Sequence, residues 1–341
     1  MITLDGSFGE GGGQIVRSAL ALSILTQQPL TIYNIRANRK KPGLRQQHLT
    51  ALRAAAQICN ARLSGDKIGS NEIRFHPTPV FPGAYHFRVG TAGSTSLVLQ
   101  TILPPLLMAD DPSTITIEGG THNPMAPPFH FLDQSFLPFL RKMGFKVHVS
   151  LKSYGFFPAG GGKIVASVKP RSTHTRLVLH ERGPHKRTTA VALSSNLAED
   201  ITHREISLLT DLLKKSHVFF EEQNIRTAGP GNLVWISDEY ENVTETITSF
   251  GERGKPARKV VQKLVDEYNS YASSDAPVGP HLADQLLIPM ALSGGGEFVA
   301  TELTKHTATN IKVIKKFLDI KVVTEWVGDQ AVLVRLSPAV V

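Results

Sequence analysis

A single cysteine, Cys59, stands in this chain of 341 residues. No disulfide can form within it, and no Cys/His pair has the spacing of a zinc site. Long apolar runs are also missing. The most apolar stretch, Leu97 to Met108, is broken by Pro104 and Pro105 and falls short of the roughly 20 residues that a membrane helix needs. The opening Met1-Ile-Thr-Leu-Asp5 has no basic stretch ahead of an apolar one, as a secretory leader would. These absences predict a soluble, cytoplasmic protein with no membrane partner. Hydrophobic residues make up 41% and charged residues 19%, values of a folded chain long enough for two domains.

The most telling absence is of acid. Between Gly11 and Gly65 there is no Asp or Glu, yet eight basic residues occur: Arg17, Arg36, Arg39, Lys40, Lys41, Arg45, Arg53 and Arg62. The other 29 of the 37 basic residues balance the 29 acidic ones, so the whole formal charge of +8 resides in this stretch. A basic run is ordinarily a solvated surface. One with no acidic relief fits a polyanion better, either nucleic acid or nucleotide phosphate.

The chain also repeats itself. A small-residue turn leads into an apolar helix at Glu10-Gly-Gly-Gly-Gln-Ile-Val-Arg17, at Gly93-Ser-Thr-Ser-Leu97 and at Asp284-Gln-Leu-Leu287. Each leads to a short strand, over 30–35, 114–118 and 297–303. A polar loop and a second helix follow, over 46–58, 129–143 and 309–318. Closing strands are expected at 73–75, 163–168 and 331–336. Three β-α-β-α-β units of this kind predict a mixed α/β fold with helices on one face of each sheet and ligand-binding loops along one edge. The texture changes between about 182 and 276, bounded by Gly183-Pro184 and Pro277-Val-Gly-Pro280. We expect repeat units one and two over 1–181, a small inserted α/β domain over 182–276, and unit three over 277–341. Ahead of the strand at 163–168 lies Gly155-Phe-Phe-Pro158-Ala-Gly160-Gly161-Gly162, a run suited to a sharp bend or a close backbone approach.

His306, in Thr304-Lys-His-Thr-Ala-Thr-Asn310, falls between a strand and a helix capped by Thr307 or Thr309. The positive end of the helix dipole would keep its imidazole neutral, which suits a nucleophile, and with Lys305 would attract phosphate. In a chain with thirteen histidines the ordinary role is a surface or capping one. Glu10 precedes three glycines and is either a partner of the helix dipole or a ligand for a hard cation. No Walker lysine and no dinucleotide fingerprint accompanies those glycines. Arg36 and Arg39 open the loop 36–45, which turns at Pro42-Gly43 and leads to Gln47 and His48 at a helix start, and arginine forks there fit phosphate oxygens. Asp284, beside Gln285, could cap its helix, assist the histidine or bind metal. Gln100 could simply pack.

Taken together these motifs resemble the RNA 3′-terminal phosphate cyclases. The likeness covers Asp5 to about Leu336 and rests on Glu10-Gly-Gly-Gly-Gln-Ile-Val-Arg17, Ile35-Arg-Ala-Asn-Arg39 with Gln47-His48, and Asn123-Pro-Met-Ala-Pro-Pro128. Pro158-Ala-Gly-Gly-Gly162, Leu282-Ala-Asp-Gln285 and His306-Thr-Ala-Thr-Asn310 complete it. Tyr154 departs from it, standing where the family signature usually begins with Arg or His, and His281 occupies a position where an aromatic residue beside adenine is expected. The resemblance implies a fold shared with enolpyruvyl transferases, each unit like the C-terminal domain of translation initiation factor 3. It implies a ligase that uses ATP and a divalent cation, Mg²⁺ or Mn²⁺, to turn the 3′-phosphate of an RNA into a 2′,3′-cyclic phosphodiester. By position it makes His306 the nucleophile that carries AMP and Glu10 the metal ligand. It assigns Arg17, Arg36, Arg39, Gln47 and His48 to phosphate or RNA, and Gln100, Pro127, His281, Asp284 and Gln285 to ATP. Two other classes are a cyclase-like RNA-binding or assembly factor without catalysis, against which His306 and the arginine loop argue, and an enolpyruvyl transferase, which needs no covalent histidine.

Overall fold

Three stretches of the chain take the same path and a fourth departs from it. The computed structural model describes residues 1–90, 92–171, 173–213, 215–328 and 331–338. Unit one runs β1 (Ile2–Asp5), α1 (Gly13–Thr26), β2 (Leu30–Tyr33), α2 (Gln46–Ile58), β3 (Arg62–Ser64) and β4 (Ile73–His76). Its first two strands pair in parallel across α1, and the sheet order is β1-β2-β4-β3. Unit two runs β5 (Ala84–Arg88), α3 (Thr95–Leu107), β6 (Ser113–Gly119), α4 (Phe129–Phe131), a π-helical turn (Leu132–Phe136), α5 (Leu137–Lys142), β7 (Lys146–Ser153) and β8 (Gly162–Lys169). Its order, β5-β6-β8-β7, is the same.

Unit three opens with β9 (Leu177–Leu179) and is then interrupted by β10 (His185–Ser195), α6 (Asp200–Leu212), β11 (Val218–Ile225), β12 (Gly231–Tyr240), β13 (Thr244–Phe250) and α7 (Ala257–Ala272). It resumes as α8 (Pro280–Leu292), β14 (Gly296–Ala300), α9 (Lys305–Phe317), β15 (Ile320–Val327) and β16 (Ala331–Pro338). The order β9-β14-β16-β15 repeats the pattern a third time, whereas the interrupting segment forms its own sheet, β11-β10-β12-β13. Each repeat therefore has two closing strands where one was expected. The third sheet also takes its edge strand from before residue 182, since Leu177 pairs with Gly296. Three residues are too short a run for periodicity to register.

The first helices are apolar nearly all round because each is covered on several sides. In α1, Ile15, Val16, Ala19, Leu20 and Ile24 are buried, and the helix packs against α2, α3 and α9. One continuous apolar core runs through all three units. The inserted sheet alternates instead, as a sheet covered on both faces by different partners must. Ala190, Ala192, Val234 and Ile236 face the core shared with α6 and α7. Val191, Leu193, Leu233 and Trp235 face the other way and enclose Phe156.

Phe156 belongs to the glycine-rich run of unit two, so that run anchors the insert. At Gly231 a Cβ would lie 2.1 Å from the Phe156 ring, and at Gly161, with φ +78°, it would lie 2.7 Å from Ala228. The π-helical turn makes a second attachment. Ser135 Oγ donates to Thr246 Oγ1 at 2.9 Å, and Ser237 donates to Gln134. A continuous helix was expected over 129–143, and the bulge occurs where these two side chains reach the insert.

Phe156→Ala should cost about 3–5 kcal/mol in chemical denaturation, and a loss below about 1 kcal/mol would mean the insert is held elsewhere. Glu245 on β13 is buried and accepts a hydrogen bond from the Gly279 N–H, ahead of α8, at 3.2 Å. Burial pushes its carboxyl from the usual 4.5 up to about 8, against the pull of that hydrogen bond and of Arg182. The folded state thus holds this proton more tightly than the unfolded chain. The resulting stability is complete below about 4.5 and fades as pH rises to about 8. Glu245→Gln should flatten the pH dependence of the denaturation midpoint over that interval, and an unchanged slope would exclude Glu245 as its source.

Candidate active site

The polar ends of α1, α3, α8 and α9 meet at one edge, and the glycines at the start of α1 set the spacing there. A Cβ at Gly12 would lie 2.2 Å from Glu10 Oε1, and one at Gly13 would lie 2.5 Å from His48 Nε2 and 2.8 Å from Arg17 Nη1. Without side chains at these positions, Glu10 can curl back so that Oε2 accepts from the Gly12 N–H at 2.7 Å. Its own N–H donates to Thr309 Oγ1 at 2.9 Å. Arg39 donates to the Glu10 carboxylate and to its carbonyl at 2.9 Å.

The basic loop is held from within. Arg36 has φ +54° and donates from Nη1 to the carbonyls of Lys41 and Gly43, both at 2.8 Å. His48 is buried at the start of α2, and its Nδ1 accepts from the Arg45 N–H at 3.1 Å. Burial, followed by the charges of Arg17, Arg36 and Arg45, pulls its pKa down to about 3. The ring is therefore neutral, with Nδ1 the acceptor and Nε2 the donor. Gln47, half-buried beside it, makes no side-chain hydrogen bond among the described residues.

His306 is exposed at the second residue of α9. The helix is capped by Thr304, whose Oγ1 accepts from the Thr307 N–H at 3.0 Å, and not by Thr307 or Thr309. A cap five residues ahead of Thr309 brings the histidine into the first turn, at the positive end of the dipole. Partial burial lowers its pKa below 6.5. Glu10 opposes the shift, and Arg17, His281 and Arg39 reinforce it.

Gln14 connects this ring to Asp284. His306 Nδ1 lies 3.1 Å from Gln14 Oε1, and Gln14 Nε2 donates to Asp284 Oδ2 at 2.5 Å. An amide that gives its NH₂ to a carboxylate can offer only its carbonyl to the ring. Nδ1 must then carry the proton, which leaves the lone pair on Nε2. Burial pushes Asp284 up to about 7, with Arg17 pulling the other way, and burial pulls Arg17 down to about 10.

On α3, Gln100 Nε2 donates to Gln285 Oε1 at 2.5 Å, and Gln285 donates onward to the His281 carbonyl at 2.7 Å. The side chain of His281 is exposed. Pro127 lies on the loop after β6, and its carbonyl accepts from Ser96 Oγ at 2.7 Å. Glu10, Arg17, Arg39, Gln100, Asp284, Gln285 and His306 thus come together, while Pro127 and Gln47 make no side-chain bond to them. Sequence reasoning gave Gln14 and Asn310 no role of their own and read Thr309 only as a candidate cap. Asn310 Nδ2 donates to the Asp284 carbonyl at 2.8 Å, and its buried Oδ1 has no partner among the described residues. The spacing of Gln14 and Arg17, one turn apart on one helix face, was the available signal.

Among the described residues no group of three or more His, Cys, Asp or Glu could hold a metal ion, and no helix is long and apolar enough to cross a membrane. A hard cation here would have Glu10 as its single carboxylate, in competition with Arg39, and would need the remaining oxygens from a ligand and water. This donor set fits a cation shared with a phosphate. Titration of the His306 ring by NMR should give a pKa below 6.5, and Glu10→Gln should lower it further by removing the favourable charge. A rise in that variant would refute the arrangement.

A family model described as RNA 3′-terminal phosphate cyclase matches residues 8–324. A protein of that name from Koribacter versatilis is 47% identical over 323 residues, 94% of this chain and 90% of its own. Another of the same name, from Pseudomonas fluorescens, is 44% identical over 340 residues, 98% and 97% of the two chains. Among solved structures, the enolpyruvyl transferase NikO from Streptomyces tendae aligns with 50% of this chain and 33% of its own, at 18% identity and a TM-score of 0.30, too low to argue from.

Proposed function

The chain belongs to the RNA 3′-terminal phosphate cyclase family, and from that premise we propose that it closes an RNA 3′-phosphate into a 2′,3′-cyclic phosphodiester at the expense of ATP. The observation that carries the reading to particular atoms is the chain from Asp284 through Gln14 to His306, which leaves Nε2 of this exposed histidine unprotonated. In the first step Nε2 attacks the α-phosphorus of ATP. An N–P bond forms, the bond to the bridging oxygen breaks, and pyrophosphate leaves. An oxygen of the RNA 3′-phosphate then displaces the histidine, giving an RNA-adenylate anhydride. Finally the neighbouring 2′-hydroxyl attacks the activated phosphorus and expels AMP, giving up its proton as the ring closes.

Each step shifts negative charge among phosphoryl oxygens, so fixed positive groups are the stabilisers required. Arg17, Arg39 and the positive end of α9 supply them beside Nε2. His48 offers a neutral Nε2–H donor next to Arg17, as their shared approach to Gly13 indicates. Arg36 shapes the loop that aims Arg39, and Gln47, beside His48, is assigned to RNA. Gln100, Gln285, Asp284, Pro127 and His281 form the nucleotide side of the site. A divalent ion, Mg²⁺ or Mn²⁺, would be held by Glu10 and would neutralise phosphate charge when bound. Through Gln14, Asp284 keeps the ring in one tautomer and takes no part in bond making.

Incubation with ATP labelled at the α-phosphate should label the protein, and His306→Ala should abolish the label. Persistence of the label in that variant would exclude His306 as the nucleophile. Gln14→Leu should slow labelling by about tenfold, the kinetic equivalent of one hydrogen bond of about 1.4 kcal/mol. An unchanged rate would show that the tautomer is fixed by other means.

A further inference from the structure

The glycine-rich run at 155–162 supplies no group to the chemistry above, yet its residues Phe156, Phe157 and Pro158 form part of the wall of a wide cleft. This cleft, of about 1130 Å³, lies between unit two and the inserted domain. Phe157 and Pro158 line one side, next to Pro124 on the loop after β6. Arg253 and Lys255, on the loop ahead of α7, line the other. Phe157 is 68% exposed and Leu197, at the far rim, 38%. Large apolar side chains left open to water at the mouth of a polar cleft mark a contact surface.

Charge indicates what the contact is. Arg253 and Lys255 have no ion-pair partner among the described residues. The first turn of α7, which also lines the cleft, has no acidic residue and no side-chain cap, so its dipole adds positive potential. Of the two glutamates on the wall, Glu205 is 1% exposed, accepts from Asn232 at 2.9 Å, and is pushed up to about 7 by burial. Two buried polar atoms in wall residues also lack a partner among the described residues, His122 Nε2 and Asn123 Oδ1. In native interiors such atoms are few and call for an explanation.

The cleft connects to the active site through the chain itself. His122, Asn123 and Pro124 lie at one end of the loop after β6. At its other end Pro127 is tied to Ser96 in the first turn of α3, the helix that carries Gln100. We propose that this cleft holds the single strand of the RNA substrate 5′ of its terminal phosphate. Phe157 stacks against a base, and Arg253 and Lys255 meet backbone phosphates. Aromatic faces with cations between them are what a strand of mixed sequence requires. The inserted domain, with the signature run that anchors it, then serves to grip the body of the RNA. This rests on the reading that RNA is the substrate.

Binding of fluorescent 3′-phosphorylated oligoribonucleotides to the full chain, followed by anisotropy, tests the proposal without requiring turnover. A dodecanucleotide should bind more tightly than a dinucleotide. The double substitution Arg253→Gln with Lys255→Gln should weaken the longer RNA about tenfold and reduce the magnitude of its salt slope by about 1.4, the value for two phosphate contacts on a single strand. Phe157→Ala should also weaken the longer RNA, and neither variant should alter dinucleotide binding. Adenylylation of His306 in the absence of RNA should proceed at the same rate in both variants, which also confirms that they are folded. Equal affinity for both lengths, or equal losses at both lengths in the variants, would overturn the cleft as the RNA track. Failure of the unaltered protein to take up label would refute the cyclase reading instead, and length-dependent binding would still locate the polyanion in the cleft.

Discussion

The organisation of this protein depends on burying helices that are apolar on nearly every side. A helix of that kind cannot rest on a single sheet with its back to water. Helix α1 resolves this by packing against α2, α3 and α9, which draws three copies of one unit around a common core. The polar helix ends cannot enter that core, so they collect at its edge. The site arises there because Glu10 lies just ahead of one buried helix whose first turns carry Gln14 and Arg17, Asp284 and Gln285 lie one turn into another, and His306 lies in the first turn of the helix packed beside both.

Within the site, the Gln14 amide is the element that gives direction. Neutral histidine can place its proton on either nitrogen, and a carboxylate facing it directly would favour the protonated ring. An intervening amide transmits the orientation of Asp284 without its full charge. The ring stays neutral, its proton lies on Nδ1, and Nε2 keeps its lone pair. Asp284 can remain buried because Arg17 lies close to it. Burial lowers the pKa of His306 and the same arginine adds to that shift, so one buried cation acts on both groups.

The insert illustrates a different economy. Its sheet has one face for its own helices and one for the rest of the molecule. The second face closes over Phe156, and the glycines nearby are there because backbone and ring approach too closely for a Cβ. The signature run is thereby explained as an anchor for a domain and a wall of a cleft, which agrees with its having no nucleophile, base or metal ligand.

Much of this was legible in the chain. The three repeats, the second helix at 46–58, the separate texture after 182, and the concentration of charge between Gly11 and Gly65 follow from periodicity and composition, which are local properties. Glu10, Arg39, Asp284 and His306 could be singled out as candidates from their own residue types and from the glycine-rich or polar segments around them, which are also local features. Tertiary structure decided the rest. β9 is too short to announce itself and joins its sheet only through β14, more than a hundred residues later. Thr304 caps α9 in place of Thr307 or Thr309 because the Thr304 hydroxyl, not either of theirs, accepts the Thr307 amide. Gln14 looked like one more residue of an apolar helix, since its role consists wholly of two partners 270 and 292 positions away. Chemistry that depends on a residue's own type can be read from sequence, whereas chemistry that depends on which groups face one another exists only once the chain has closed.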